Sequence, residues 1–248
     1  MNRLIISLCS RHYTEENTVR EAASASTKTI ADSLPQAAFQ DKYATMLADL
    51  ATKEWFTARI SAATLISSAY PRLTTAQQEE HLKYFDALCR DETPMVRRVA
   101  SQNLGPMLLA IVNSNGRSSL AENGVVAKVL IPLYEELASN DQPDSVRLQT
   151  TENCVAFGKV LGELAPDYAE AELALVQKLV PLIVATIDDR SWRVRWTAAS
   201  KFANVIQGFD KLPDVMDSLI PAYEKLLQDP EAEVRILSLY LVLFVADW

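Results

Sequence analysis

At 248 residues with 49% hydrophobic and 23% charged side chains, the chain has enough apolar material for a sizeable core, which excludes a disordered tail. A formal net charge of −8 repels phosphate backbones and speaks against a nucleic-acid partner. Six glycines among abundant Ala, Leu, Glu and Gln make helix the expected state along most of the chain.

From the N-terminus, the chain opens on Leu4–Cys9, an apolar stretch too short for a signal peptide and followed by no small-residue cleavage site. Beyond it an arginine, usually preceded by valine, keeps returning. Arg20, Arg59, Arg97, Arg147, Arg195 and Arg235 lie 39, 38, 50, 48 and 40 residues apart, the period of a two-helix repeat with two longer connections. Pro181, Asp189, Val194 and Arg195 share their offsets with Pro221, Asp229, Val234 and Arg235, and Asp91, Val96 and Arg97 repeat the last three. A looser copy holds Pro132 and Asn140, with Val146 and Arg147 one residue late.

Apolar periodicity predicts helix pairs at 2–12 with 18–33, 40–52 with 55–69, 76–90 with 94–112, 124–139 with 144–163, 167–187 with 191–208, and 212–228 with 231–247. Val96, Ala100, Leu104, Met107 and Ile111 form one core-facing stripe, and Val146, Thr150, Cys154, Phe157 and Leu161 another. Prolines in the first helices are expected to bend them by removing a backbone donor. A helix pair cannot cover its own apolar face, so the units must stack. The expected fold is all-α, an α-α superhelix or solenoid of about six HEAT-type repeats in a single domain, with units at about 1–35, 40–72, 76–113, 124–164, 167–209 and 212–248.

Two connections are longer. Residues 113–124, rich in Ser, Asn and Gly, are expected to form a mobile loop, and 165–171 to extend a helix start. Cys9, Cys89 and Cys154 are odd in number and sit in apolar-periodic stretches, as reduced thiols of a cytosolic core do. The expected location is cytoplasmic, with the nucleus as a second compartment. The most apolar run, 236–246, is about half of the roughly 20 residues a membrane span needs. In that last helix Leu237, Tyr240, Leu241, Leu243 and Phe244 cannot share one face, so a further surface is expected to cover part of it.

Several strings are more specific than a generic repeat: Trp55-Phe56-Thr57-Ala58-Arg59, Tyr70-Pro71-Arg72, Asp91-Glu92-Thr93-Pro94-Met95-Val96-Arg97-Arg98, Asp144-Ser145-Val146-Arg147, Ser191-Trp192-Arg193-Val194-Arg195 and Glu231-Ala232-Glu233-Val234-Arg235. In order and spacing they resemble the A-type scaffold subunit of protein phosphatase 2A, from about its third to its seventh or eighth repeat. The likeness is looser over residues 1–15, at 113–124 and in the last helix. It implies a horseshoe whose N-terminal repeats bind exchangeable regulatory (B-type) subunits and whose C-terminal repeats bind the catalytic subunit. With about six such repeats, the chain would keep regulatory-subunit surface, and would reach the catalytic subunit only with further C-terminal repeats.

In that family partners dock on the turns inside the repeats. The candidates at those turns are Trp55, Phe56, Asp91, Thr93, Pro94, Met95, Arg98, Asp144, Ser145, Trp192 and Arg193. Exposed Trp and Arg anchor interfaces because they combine large contact area with forked hydrogen bonding. The competing reading for Trp55 and Trp192 is that each lies flat on its neighbouring repeat. Arg97, Arg147, Arg195 and Arg235 are expected to form a structural ladder with Asp91, Asp189 and Asp229, each arginine forking to the carboxylate of the next turn. The aspartates could also cap the second helices.

The remaining motifs carry no chemistry. Gly158 and Gly162 form a GxxxG pair that permits close helix packing, and His12 and His81 stand alone. No phosphate loop, nucleophile elbow or metal-spaced cysteine pair occurs, so no enzyme, cofactor, metal or membrane role is expected. The function expected is a non-catalytic scaffold of a phosphatase 2A-like complex. A transport or chromatin adaptor of another HEAT family is the alternative, and a base-excising repeat enzyme with a basic groove is the third reading.

Overall fold

A computed structural model describes Thr14, residues 16–163, Asp167 and residues 169–245; the expected helix at 2–12 and Cys9 lie outside the described residues. Every regular element among the described residues is helical. The chain divides into two compact units, Met1–Ser114 and Asn115–Trp248.

The first unit contains α1 (Asn17–Ser33), α2 (Gln36–Ala38), α3 (Ala44–Ala51), α4 (Phe56–Ala69), α5 (Thr75–Cys89), α6 (Pro94–Gln102) and α7 (Leu104–Asn115). A π turn, Phe39–Tyr43, joins α2 to α3. The first helices pack on one another, α3 on α5, and the second helices likewise, α1 on α4 and α4 on α6, giving two layers. α5 starts at a capping box: the Thr74 hydroxyl accepts the Gln77 backbone N–H (3.3 Å) while the Gln77 side-chain Oε1 accepts the Thr74 backbone N–H (3.1 Å).

The helix expected at 94–112 is two helices. Pro106 has no N–H to give the Gln102 carbonyl, and its ring crowds that oxygen. The chain therefore turns at Asn103 (φ −97°, ψ 5°) and restarts at Leu104. The stripe survives the break: Val96, Ala100, Leu104, Met107 and Ile111 are all buried.

The second unit contains α8 (Ile131–Ala138), α9 (Asp144–Gly162), α10 (Glu170–Ala185), α11 (Trp192–Phe209), α12 (Pro213–Leu227) and α13 (Ala232–Val245). Here too the layers are distinct, α8 on α10 on α12 and α9 on α11 on α13. Pro132 follows a π turn, Val126–Leu130, in which the Ile131 N–H reaches back to the Val126 carbonyl; the widened turn relieves the contact between the proline ring and the preceding carbonyls. The stripe Val146, Thr150, Cys154, Phe157 and Leu161 is buried. Burial in it pushes the Cys154 thiol up to about 12, so it packs as an inert apolar group. Cys89 is buried as well.

α9 and α11 meet backbone to backbone. A Cβ placed on Gly162 would lie 1.8 Å from the Gly208 carbonyl oxygen, and one on Gly208 would lie 2.7 Å from the Gly158 carbonyl carbon. Gly158 and Gly162 thus serve close packing inside a helical stack.

The connection 113–124 is not the expected mobile loop. α7 runs to Asn115, Gly116 turns the chain at φ +63°, and a 3-10 turn, Gly116–Leu120, seats Leu120 and Ser119 in the interior. Arg117 pins it, donating Nε and Nη2 to the two carboxylate oxygens of Glu172 (2.5 and 2.6 Å) and Nη2 also to the Asp167 carbonyl. Glu172 in turn accepts the Ala169 N–H at 2.9 Å and so caps α10. One buried leucine and one forked ion pair outweigh the polar composition.

In α13, Val234 and Ser238 are buried and Ile236, Leu239 and Tyr240 are exposed, so apolar residues do occupy more than one face; the side chains of Leu241, Leu243 and Phe244 lie outside those described. No helix among the described residues is long and apolar enough to cross a membrane.

Candidate partner-docking site

The turns between paired helices share one architecture, set by the recurring arginine. From the first turn of a second helix its Nη1 reaches back to a carbonyl of its own turn: Arg20 to Thr14 (2.9 Å), Arg59 to Lys53 (2.9 Å), Arg97 to Asp91 (2.6 Å), Arg195 to Asp189 (2.8 Å), and Arg147 to Gln142. Its Nε and Nη2 then fork across to the aspartate of the following turn. Arg59 holds Asp91 (2.6 and 3.0 Å), Arg147 holds Asp189 (2.7 and 2.8 Å), and Arg195 holds Asp229 (2.6 and 3.0 Å). One guanidinium thus closes its own turn and ties it to the next, which five fixed donors permit and a lysine does not.

The ladder differs from the expected one in membership. Asp91 is held by Arg59, which belongs to the sequence period but not to the expected ladder. Arg97 donates to the Asp91 and Glu92 carbonyls of its own turn, and Arg235 to those of Asp229 and Pro230. The aspartates also do not cap the N2 or N3 groups of the second helices. Each accepts the N–H two residues on, from Thr93 (2.8 Å), Ser191 (2.7 Å) or Glu231 (2.8 Å), an Asx turn that sets the helix entry.

Electrostatics follow the geometry. The hydrogen bond to Asp189 raises Arg147, and those to Asp91 and Asp229 raise Arg59 and Arg195. Burial alone would raise the Asp229 carboxyl, but bonds from Arg195 and the Glu231 N–H together hold it below the usual carboxylate range.

On this frame the candidate docking residues sort into used and free. Asp91 is nearly buried by its rung, and Thr93 accepts a bond from Arg59 Nη2 at 3.3 Å, so both are structural residues of the turn. Phe56 is half-buried. Trp55 is 62% exposed, so it does not lie flat on its neighbour, and Met95 is 53% exposed with Pro94 and Arg98 also open to solvent. In the second unit Ser145 is exposed, Trp192 is 37% exposed, and the Arg193 guanidinium stands 5.2 Å from the Trp192 ring centroid. Asp144 lies 3.9 Å from Arg193 Nη1 and accepts the Ser191 hydroxyl at 3.4 Å. Trp196, exposed one turn beyond Trp192, belongs to the same surface; its i+4 spacing was the available signal, and it is absent from the sequence-based candidates. The second unit thus presents an aromatic and cationic cluster, Trp192 with Arg193, and the first presents exposed Trp55, Met95 and Arg98, all on turns tied by the ladder.

No group of His, Cys, Asp and Glu among the described residues could hold a metal ion. The residue one past each arginine is Glu21, Ile60 or Arg98 in the first unit and Leu148, Trp196 or Ile236 in the second.

No family model matches the chain. It is 38% identical over 158 residues to a probable serine/threonine-protein phosphatase PP2A regulatory subunit of Caenorhabditis elegans, covering 64% of this chain and 25% of that one. It is 30% identical over 193 residues to the A-type PP2A regulatory subunit of Schizosaccharomyces pombe, covering 77% and 30%. The chain is a relative of the A-type phosphatase 2A subunits. The Dictyostelium discoideum relative, 37% identical over 106 residues, is named a phosphatase 2A scaffold subunit, and 43% of this chain and 18% of that one align. The chain spans 30% or less of the length of each of these relatives. Among solved structures it is similar to the karyopherin Kap121p (TM-score 0.67, 14% identity, 95% of this chain and 24% of that one) and to an engineered protein (TM-score 0.51, 17% identity, 96% and 94%). At such identity these show the helical-repeat fold alone.

Proposed function

We propose that the chain is a non-catalytic scaffold that holds a regulatory subunit of a phosphatase 2A-like complex on its intra-repeat turns. The observation that supports it most is the placement of Trp55, Met95, Arg98, Trp192 and Arg193: exposed anchor side chains standing on turns locked by buried forks, in a chain related to A-type subunits. Pre-ordered anchors lose little freedom on binding, so more of their contact energy is left for affinity. The scaffold supplies geometry, presenting one partner at a set distance from another, and the phosphatase chemistry belongs to a separate chain. The catalytic subunit would join only through further C-terminal repeats. The compartment we assign is the cytoplasm, with the nucleus second.

Capture of a purified B-type regulatory subunit by the immobilised chain tests this reading. Binding that the Trp192→Ala, Arg193→Ala variant loses, with helical circular dichroism unchanged, is the expected result. If the parent chain captures nothing while folded, the transport or chromatin adaptor takes precedence.

A further inference from the structure

The second helices α1, α4 and α6 of the first unit line a cleft of about 440 Å3. Its charge is opposite to that of the chain as a whole: Arg20, Lys28 and Arg98 face a single carboxylate, Glu21, in a protein of net charge −8. Arg20 is engaged by the Thr14 carbonyl and Asn17, and Glu21 accepts the Asn17 amide at 3.2 Å. Lys28 and Arg98 make no ion pair or hydrogen bond among the described residues. The same cleft is walled by the edge of the largely buried Ile60 and by Met95, a flexible side chain on a half-exposed residue.

Two cations that form no ion pair, in a cleft with one carboxylate to three cations, attract an anion, and the guanidinium of Arg98 matches a carboxylate fork. An apolar wall between helices gives nothing to a bare inorganic anion or to a nucleic-acid backbone, which asks for a run of cations rather than a pair. We propose that this cleft docks an acidic, extended segment of a partner protein, its carboxylates on Lys28 and Arg98 and one apolar side chain against Ile60 and Met95. This rests on the scaffold reading and deepens it, because Met95 and Arg98 are among the anchors assigned there; the cleft assigns the chemistry of the segment they take.

The test is fluorescence anisotropy of the full chain with a labelled eight-residue peptide of Asp and Glu around one central Leu. The expected result is saturable binding that weakens with salt, and that falls about tenfold or more in Lys28→Met, Arg98→Met and for a probe whose carboxylates are replaced by amides. A Lys159→Met, Lys211→Met control, altered in the second unit, binds as the parent does. The methionine changes keep the stems packed, and unchanged helical circular dichroism separates lost attraction from lost fold. Equal binding by the cleft variant, equal binding of the amide probe, or displacement by inorganic phosphate with no effect of replacing the Leu by Ala overturns the proposal. The probe contains no phosphatase sequence, so the two readings fail separately. Regulatory-subunit capture without probe binding overturns the cleft alone, and probe binding without capture overturns the scaffold partner alone.

Discussion

The rung Arg147–Asp189 in the second unit and the rung Arg59–Asp91 in the first are the same forked pair, yet they stand in different surroundings. The side chains of the former are 2% and 6% exposed, those of the latter 12% and 7%, and Arg59 also has Glu92 within 3.8 Å at the surface. Water reaches the guanidinium of Arg59 more readily when its partner is lost, whereas the Arg147 side chain is almost fully covered, at the edge of a cavity of about 210 Å3. The spacing of residues announces a rung; its burial decides what the rung contributes.

The largest effect that would sharpen this contrast is Asp189→Ala. Removing one partner of a buried pair leaves the other charge unpaired, so a loss of about 3–5 kcal/mol is expected in urea denaturation. Asp91→Ala should cost less, about 1.5–3 kcal/mol. Equal losses at both rungs would mean that burial does not set their energies. Gly162→Ala comes next, at about 1–3 kcal/mol, because α9 and α11 must separate to admit a methyl group; a neutral result would show that the two backbones have room to part.

A smaller effect is a pH dependence. Glu172 is held below its ordinary value, first by the hydrogen bond from Arg117, and Asp229 below its own by the bonds from Arg195 and Glu231. For a carboxylate depressed in the folded state, the stabilisation is complete above the unfolded value and disappears as pH falls through the folded one. Both contributions are therefore present at neutral pH and fade in the acid range below about 4. Thermal unfolding followed from pH 7 downward should show an acid decline that is shallower in Asp229→Asn; an unchanged slope would remove Asp229 from the account. The smallest effect is local: Arg117→Ala should speed amide exchange across Gly116–Leu120 and leave α9 unchanged, as hydrogen exchange would report.

Much of this arrangement was legible. The recurring arginine and the aspartate six residues before Arg97, Arg195 and Arg235 pointed to the turns, and the apolar stripes of α6–α7 and α9 are buried as their periodicity required. Arg59 was legible too, through its offset, but its partner lies 32 residues on, and the pairing of one turn with the next is visible only in the stack. The sorting of the docking candidates followed the same limit. Asp91 and Trp55 both occupy turns, but the fork from Arg59 withdraws Asp91 and nothing covers more than a minor part of Trp55.

The sequence by itself determined the helical state, the repeat period and the presence of a carboxylate at each rung, because these follow from local periodicity and from side-chain chemistry. The break at Asn103 is local as well, since the Pro106 ring acts on a carbonyl one turn back. Tertiary structure decided the contact of Gly162 with Gly208, the seating of Leu120 and the choice between used and free turn residues. The physical reason is common to all three. Each depends on what stands across a gap of one helix diameter, and that neighbour comes from a stretch of chain that local spacing does not reach.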